Sequence, residues 1–432
     1  MKMKLPKPLG NIIRPIIKEI ITRRLLDKDR AFNVYHRNPI IPTANPAKKL
    51  TFKKIENPIV SIIIPVYNHL HITFPCILSI LNNTKNIGYE IIIADDASID
   101  EAKNIGAYVE NVKIIRNNKN LGFLKNCNHA SKFAKGKYIL FLNNDTNVQK
   151  DWLKYLLEFI EKDRTIGIVG PKFISTGGKI KEAGGIIWKD GSSSHFGYSQ
   201  AQGDPEFNYV KEVDYISGAC LMVRKKLWET IGGFDERFAP VYYEDVDLAF
   251  EGRNLGYKVV YQPKSVITHL EGVSYGTSVN NDSMNSLKIN KRKFRKKWEK
   301  VLEKEHFEKE NDIFLARDRS RSKKTIFVFD DEQCIDEIIR KFVEMGLNIK
   351  ILRDDFYRYE PYTSDLEQSG IEVLYGYRYY KNIKLWLRDN CKYFDYVFSA
   401  KPNLLEKYHD LLRGKSSAEI IDSLEKFKGK TM

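Results

Sequence analysis

Four short apolar runs, each ending in polar residues, constrain the fold of this chain more than any other feature. From residue 59 onward, the runs IVSIIIPVYN, YEIIIADDAS, VKIIRN and YILFLNND follow one another. The segments between them, such as 72–83 and 122–135, are long enough for helices. Continuously apolar strands that alternate with helices predict a parallel β-sheet covered on both faces. We therefore expect an α/β fold with an αβα domain.

Polar side chains at the ends of these strands mark the expected ligand site. In open α/β sheets, ligands bind at the carboxyl ends of the strands. The polar residues at those ends are Asn68, Asp95, Asp96, Ser98, Asn143, Asn144 and Asp145.

The composition supports a folded protein in a reducing compartment. Of the 432 residues, 42% are hydrophobic and 12% aromatic, so a sizeable core can be buried. The five cysteines are scattered without a CxxC pair, which argues against a disulfide framework or a structural zinc site. No apolar run approaches the ~20 residues needed to cross a bilayer, and no secretory signal is recognisable. We expect a cytoplasmic protein.

Positive charge is concentrated at the beginning of the chain. Residues 1–54 contain 14 Lys and Arg against 3 acidic residues, which is most of the net charge of +15. Within them, residues 11–26 place isoleucines and leucines in pairs near the helical period, with basic residues between. This pattern predicts an amphipathic basic helix, either at an anionic membrane surface or docked on the protein itself. Four prolines in residues 38–58 then indicate an extended linker.

Further segments complete the organisation. Residues 151–162 have a helical pattern, whereas the order of strands and loops in the Gly-rich stretch 167–203 is not predictable. Residues 288–300 form a basic helix with eight Lys and Arg. Because few aromatic residues are interleaved, we expect a solvated or lipid-facing surface there and no nucleic-acid partner.

From residue 325 a second βα series predicts a small α/β domain. Its Gly-Lys-Ser triplet at 414–416 lacks the earlier glycine of a phosphate loop.

Four acidic or imidazole side chains have the chemistry of a group-transfer site, although each has an ordinary alternative. Asp145, at the end of a strand, is a candidate ligand for Mg²⁺ or Mn²⁺, or a turn or helix-capping residue. Glu244 and Asp245 are candidates for a general base, or acids that favour a helix N-terminus. His269 is a candidate metal ligand or a surface histidine.

The chain resembles the family 2 glycosyltransferases of the GT-A fold through six motifs in the correct order. They span about residues 59–280: IVSIIIPVYN, EIIIADDASID, NLGFLKNCNHA, GKYILFLNNDT, DYISGACLMVRKKLWETIGGFDERFAPVYYEDVDLAFEGRNLGYKVVYQP and THLEGVSYG. The similarity is greatest to the rhamnosyltransferase-like branch that builds O-antigen and surface polysaccharides. The signature QxxRW of processive synthases is absent.

The resemblance implies roles for particular residues. Asp245 matches the catalytic base of inverting enzymes, and Glu244 would shape the acceptor site. Asp145 matches the metal-binding acid of the DxD motif, with His269 completing the shell around Mn²⁺ or Mg²⁺. The first acid of that motif is Asn143 here. The nucleotide would be bordered by Pro65, Tyr67, Asn68, Asp96, Ser98, Gly122, Asn128, Asn143 and Asn144. Gly218, Ala219 and Trp228 would lie in the acceptor region.

The C-terminal domain resembles the first half of a GT-B glycosyltransferase. We therefore divide the chain into a basic helix and linker (1–54), a GT-A domain (55–285), a basic helical connector (286–322) and a truncated GT-B-like domain (323–432).

The expected function is inverting transfer from a nucleotide-diphosphate sugar to a glycan or lipid-linked acceptor at the inner face of a membrane. The alternatives are a related nucleotidyltransferase, a non-catalytic sugar-nucleotide-binding or scaffold protein, and a nucleic-acid-binding protein driven by charge. PVYNHLH is not the Gly- and Arg-rich loop that a nucleotidyltransferase needs.

Overall fold

The structure is a computed structural model that describes residues 48–270, 281–330, 336–353, 361–375, 383–399 and 419–421. The amphipathic helix predicted at 11–26, most of the predicted linker and the triplet at 414–416 lie outside these residues. The described part divides into a larger unit (48–201 and 210–320) and a smaller unit (202–209 and 321–421). Within the described residues, no helix combines the length and hydrophobicity required to cross a bilayer.

The larger unit contains most of the secondary structure. Its strands are β1 Leu50–Thr51, β2 Val60–Val66, β3 Tyr89–Asp95, β4 Val109–Glu110, β5 Lys113–Arg116, β6 Tyr138–Leu142, β7 Thr146–Val148, β8 Ile166–Ile174, β9 Ile180–Glu182, β10 Gly185–Ile187, β11 Ser193–His195, β12 Lys211–Glu212, β13 Cys220–Arg224 and β14 Lys258–His269. Its helices are α1 Leu70–Asn83, α2 Phe123–Ser131, α3 Trp152–Lys162, α4 Lys225–Ile231, α5 Glu244–Asn254, α6 Asn281–Glu305 and α7 Ile313–Ala316.

A central sheet of ten described strands organises this unit. Its order is β12-β14-β8-β13-β6-β2-β3-β5, with β7 beside β14 and β9 beside β8. The strands β6, β2, β3 and β5 are parallel, as the alternation of strands and helices predicts. The α/β class is therefore confirmed.

The parallel arrangement does not extend through the whole sheet, because β13 runs antiparallel to both β6 and β8. Strands β7 and β12 also pair antiparallel with β14. A strand buried on both faces is continuously apolar whatever its direction, so the run CLMV in β13 could not reveal its orientation.

The core lies between the sheet and its helices. On α3, Trp152, Leu156 and Ile160 recur every four residues and are fully buried against the sheet. Leu50 and Phe52 are buried in the same cluster, and β1 pairs with β4. Residues 50–52 therefore belong to the larger unit, not to the N-terminal segment that we bounded at residue 54.

The basic helix α6 packs against the larger unit. The side-chain nitrogen of Asn290 lies 2.7–3.0 Å from the backbone oxygens of Phe238, Val241 and Tyr242. Near its other end, Lys297 lies within 2.8 Å of Asp247. Residues 281–320 are thus part of this unit, and the separate connector predicted at 286–322 is not observed.

The smaller unit contains a five-stranded parallel sheet of order β17-β16-β15-β18-β19. Its strands are β15 Thr325–Asp330, β16 Asn348–Arg353, β17 Glu372–Tyr375, β18 Tyr396–Ser399 and β19 Glu419–Ile421, and its helices are α8 Asp336–Glu344, α9 Pro361–Gln368 and α10 Ile383–Asn390. This agrees with the α/β pattern of the sequence from residue 325. The likeness to half of a GT-B enzyme stays a prediction.

Candidate active site

A cavity of about 400 Å³ opens where the carboxyl ends of β2, β3 and β6 meet. These three strands are adjacent and parallel, so the residues that follow each of them converge at one edge. The cavity is lined by Pro65, Val66, Tyr67, His69, Asp96, Asn120, Gly122, Phe123, Asn126, Asn143 and Asn144. Six of the nine predicted nucleotide-binding residues are among them: Pro65, Tyr67, Asp96, Gly122, Asn143 and Asn144.

Asp96 organises one wall of the cavity. Its buried carboxylate accepts hydrogen bonds from the backbone N–H of Leu121 at 2.8 Å and of Gly122 at 2.9 Å. It also accepts one from the side chain of Asn117 at 2.9 Å. Gly122 has a φ of +80°, and a Cβ there would lie 3.0 Å from Pro240, so a larger residue would be strained. Asp96 thereby fixes the loop that lines the cavity.

Three predicted nucleotide-binding residues do not line this cavity. Ser98 accepts a hydrogen bond from the N–H of Asn68 at 2.8 Å, and Asn68 Oδ1 accepts one from the N–H of Ile99 at 2.8 Å. These bonds join the loops after β2 and β3. Asn128 is bound through both side-chain atoms to the backbone of Phe234, at 2.8 and 2.9 Å, and lines a different cavity. All three side chains are therefore occupied in holding loops together.

The pairing of β7 with β14 brings Asp145 and His269 together. His269 is the register partner of Thr146, and the N–H of Leu270 donates to the carbonyl of Asp145 at 3.0 Å. Nε2 of His269 consequently lies 3.3 Å from Oδ1 of Asp145. Asp145 is not at the start of a helix, since α3 begins seven residues later. The helix-capping alternative for Asp145 is thereby excluded.

The donor atoms at this position fit a divalent cation. A carboxylate oxygen and an imidazole nitrogen are ligands that Mn²⁺ accepts, and Mg²⁺ shares the oxygen preference. Asn143 Oδ1 is buried and has no hydrogen-bond partner among the described residues. The described residues contain no group of three or more His, Cys, Asp or Glu with metal-ligand geometry. A cation here would therefore take further ligands from water or a bound diphosphate.

Glu244 and Asp245 are the first two residues of helix α5. The N–H of Gly218 donates to Oδ2 of Asp245 at 2.8 Å, and the N–H of Val246 donates to Oδ1 at 2.8 Å. The next residue after Gly218, Ala219, accepts a hydrogen bond from the N–H of Asn143. This short connection places Asp245 next to the strand end that lines the cavity.

The two carboxyl groups have different environments. Burial raises the pKa of Glu244 well above its usual range, and the charge of Asp245 raises it further. Oε2 of Glu244 has no hydrogen-bond partner among the described residues. Burial also raises the pKa of Asp245, but the two backbone N–H groups oppose that rise. We infer that Glu244 is neutral and Asp245 ionised, which suits Asp245 to accept a proton.

The backbone before these acids is unusual. Tyr242 and Tyr243 both have left-handed φ values, 74° and 73°, which bulky residues rarely adopt. The hydroxyl of Tyr243 donates to the carbonyl of Gly191 at 2.8 Å, which holds the turn in place. Such strain concentrates at functional sites.

Several residues near the cavity were not predicted as site residues. Asn126 donates to the carbonyl of Ala94 and accepts from Asn117, so both amides support Asp96. The motif NLGFLKNCNHA contains Asn126, but nothing in the sequence distinguishes this asparagine from the other polar residues of the predicted helix.

Trp228, expected in the acceptor region, is instead packed between Phe141 and Phe234.

Part of the chain matches a known protein family. Residues 61–232 match the family described as Glycosyl transferase family 2. This range contains the cavity-lining residues and Asp145.

Three relatives illustrate the range of similar proteins. An uncharacterized protein of Sinorhizobium fredii, y4gI, is 26% identical over 230 residues, which are 51% of this chain and 25% of that protein. The O-antigen biosynthesis protein RfbC of Myxococcus xanthus is 30% identical over 153 residues, 34% of this chain and 12% of that protein. The hyaluronan synthase of Pasteurella multocida is 26% identical over 305 residues, 69% of this chain and 27% of that protein. The chain spans about a quarter or less of the length of these relatives.

Proposed function

We propose that this chain, whose residues 61–232 match the Glycosyl transferase family 2 family, transfers a sugar from a nucleotide-diphosphate sugar to a hydroxyl group with inversion. The acceptor we propose is a glycan or lipid-linked glycan of cell-surface polysaccharide synthesis. The relatives named for O-antigen biosynthesis and hyaluronan synthesis support that acceptor class. The transferred sugar is a hexosyl or rhamnosyl group.

One observation carries the proposal: residues that line the cavity are directly connected to the candidate cation and base positions. Asn143 and Asn144 line the cavity, and Asp145 follows them in the sequence. The N–H of Asn143 donates to the carbonyl of Ala219, and the N–H of the preceding Gly218 donates to Asp245. A donor in the cavity would have its nucleoside beside Tyr67 and Asp96. Its diphosphate would then lie toward Asp145 and His269.

In the proposed reaction, the acceptor hydroxyl oxygen forms a bond to the anomeric carbon and its proton passes to Asp245. The bond between that carbon and the diphosphate oxygen breaks, and the bonding electrons leave with the diphosphate. Asp245 is a suitable base because its carboxylate is fixed by two N–H groups. The larger rise in the pKa of the adjacent Glu244 favours placing the negative charge of the pair on Asp245. Asp145 and His269 would hold a divalent cation, which neutralises developing charge on a leaving diphosphate.

Release of nucleoside diphosphate from a donor panel tests the function. The full chain is incubated with UDP-, dTDP- and GDP-sugars and Mn²⁺ or Mg²⁺, with and without simple glycosides as acceptors. We expect release from at least one donor, and its stimulation by an acceptor. A protein that binds a donor without releasing its diphosphate would instead be the non-catalytic alternative.

A further inference from the structure

A buried carboxylate near Asp245 has no part in the mechanism described above. Glu182, at the end of β9, is only 2% exposed. Burial raises its pKa, and the nearby His195 side chain opposes that rise. Nδ1 of His195 lies 3.1 Å from Oε2 of Glu182. The other carboxylate oxygen accepts the N–H of Ser217 at 3.3 Å.

This pair is connected to the candidate base through one turn. Ser217 and Gly218 are consecutive, and their N–H groups donate to Glu182 and Asp245 respectively. The Glu182–His195 pair and Asp245 are therefore linked through two consecutive backbone N–H groups.

The hairpin that carries His195 is firmly attached. Strands β10 and β11 pair from Gly185 to His195, and the indole N–H of Trp188 donates to Ser194 at 2.7 Å. At the tip, the Tyr243 hydroxyl binds the carbonyl of Gly191, and Lys291 lies 2.6 Å from Asp190. Because Tyr243 immediately precedes Glu244 and Asp245, the hairpin and the candidate base are held in one framework.

His195 also has the exposure and the chemistry of a ligand-binding group. Its side chain is 44% exposed, whereas its partner Glu182 is buried. A carboxylate close to one ring nitrogen favours one orientation of the imidazole, and the other nitrogen can then bind a second partner. No bond from Nε2 of His195 exists within the part of the chain that the structure describes.

We propose that His195, oriented by Glu182, hydrogen-bonds a hydroxyl of the acceptor sugar and positions the attacking hydroxyl at Asp245. This inference rests on the proposed function and names a residue of its acceptor subsite. The ligand class is a sugar glycoside, whose hydroxyls an imidazole can bind. The competing explanation is that the Glu182–His195 pair only stabilises the hairpin.

Two rates measured on the 432-residue chain distinguish these explanations. Donor hydrolysis by water needs the donor cavity and the cation position, whereas transfer to p-nitrophenyl glycosides also needs the acceptor subsite. With the donor found by the panel above, both rates are compared for His195→Ala, His195→Gln and Glu182→Gln. The matched control is Glu158→Gln, an exposed carboxylate on α3.

We expect His195→Ala to lower kcat/KM for transfer about tenfold or more, mainly through the acceptor KM, with hydrolysis changed less than about twofold. His195→Gln should restore part of the transfer because its amide can still bond a hydroxyl. Glu182→Gln should impair transfer selectively, and the control should change neither rate.

A parallel loss of hydrolysis and transfer would overturn the proposal in favour of a structural role, as would unchanged transfer in His195→Ala. Hydrolysis by the wild type without transfer to any of the glycosides would contradict the acceptor class. A wild-type protein that hydrolyses no donor would contradict the proposed function itself, and the role of His195 with it.

Discussion

Asp245 accepts backbone hydrogen bonds on both carboxylate oxygens, whereas Oε2 of its buried neighbour Glu244 has no hydrogen-bond partner among the described residues. We predict that Asp245→Asn keeps nucleotide binding but loses about 10²-fold or more of transfer activity, because the amide cannot accept the proton. The amide oxygen can still accept the N–H of Gly218, so the turn should remain. Calorimetric titration with the nucleoside diphosphate and the transfer assay measure the two effects. Transfer within a few-fold of wild type would remove Asp245 from the base role.

Glu244 allows a test of electrostatics that does not depend on activity. Its folded-state pKa lies well above the ordinary 4.5, so the folded state retains a proton that the unfolded chain loses as pH rises. Wild-type stability should therefore fall with pH above about 4.5, until the folded carboxyl itself ionises. The glutamine of Glu244→Gln does not titrate. The free energy of unfolding of this variant, relative to that of the wild type, should therefore rise by about 1.4 kcal/mol per pH unit in that window. Urea unfolding of both proteins between pH 4 and 8 measures this difference in the free energy of unfolding. Parallel curves for the two proteins would mean that Glu244 is ionised in the folded state.

The cation position gives a third prediction at the residue scale. If Asp145 and His269 hold a divalent cation, EDTA should abolish diphosphate release, and added Mn²⁺ or Mg²⁺ should restore it. Asp145→Asn should then require more metal for half-maximal activity. Full activity in EDTA would show that lysine or arginine side chains neutralise the diphosphate instead.

Residues that follow neighbouring strands could be assigned to one edge of the sheet from sequence, but not to the cavity itself. Asp96 and Ser98 both follow β3, yet only Asp96 lines the cavity. Ser98 is held by Asn68, thirty residues earlier in the chain. Which polar side chain turns inward depends on such long-range partners, which the local pattern does not contain. Glu182 and His195 were missed because they lie in the Gly-rich stretch whose strands could not be ordered.

At the scale of elements, the sequence predicted helices better than strand directions. The helix expected at 72–83 is α1, and that at 151–162 is α3. The antiparallel direction of β13 depends on a chain reversal across residues 175–219, which has no single turn signal. The role of α6 was missed for a related reason: its many charges suggested a solvated helix, but every fourth residue from Asn290 to Leu302 is buried.

Helix α6 gives the prediction that belongs to this scale. Asn290 is 1% exposed and its amide nitrogen contacts three backbone oxygens, so Asn290→Ala should leave them without a donor. We expect a loss of roughly 1–3 kcal/mol in the free energy of unfolding. The matched control is Asn285→Ala, an exposed asparagine on the same helix. Equal unfolding midpoints for the two variants would mean that the carbonyls find other donors.

For the whole molecule, the distribution of charge suggests where the protein works. Residues 1–54 contain 14 basic and 3 acidic residues, and the paired isoleucines of 11–26 lie among them. We propose that this segment holds the enzyme at the inner face of an anionic membrane, next to a lipid-linked acceptor. Each basic residue near such a bilayer contributes about 1 kcal/mol, and burial of the apolar stripe adds to it.

Sedimentation with liposomes tests this proposal. We expect the full chain to pellet with anionic vesicles, less so at high salt, and to remain in solution with neutral vesicles. The comparison should be a chain that starts at Lys48, because Leu50 and Phe52 are buried in the core of the larger unit and must be retained. That shorter chain should bind much less while keeping its donor hydrolysis. If both chains pellet equally, residues 1–47 are not the anchor. The exposed basic face of α6, with Lys288, Arg292 and Lys296, would then be the surface to change, since these side chains do not contact the core.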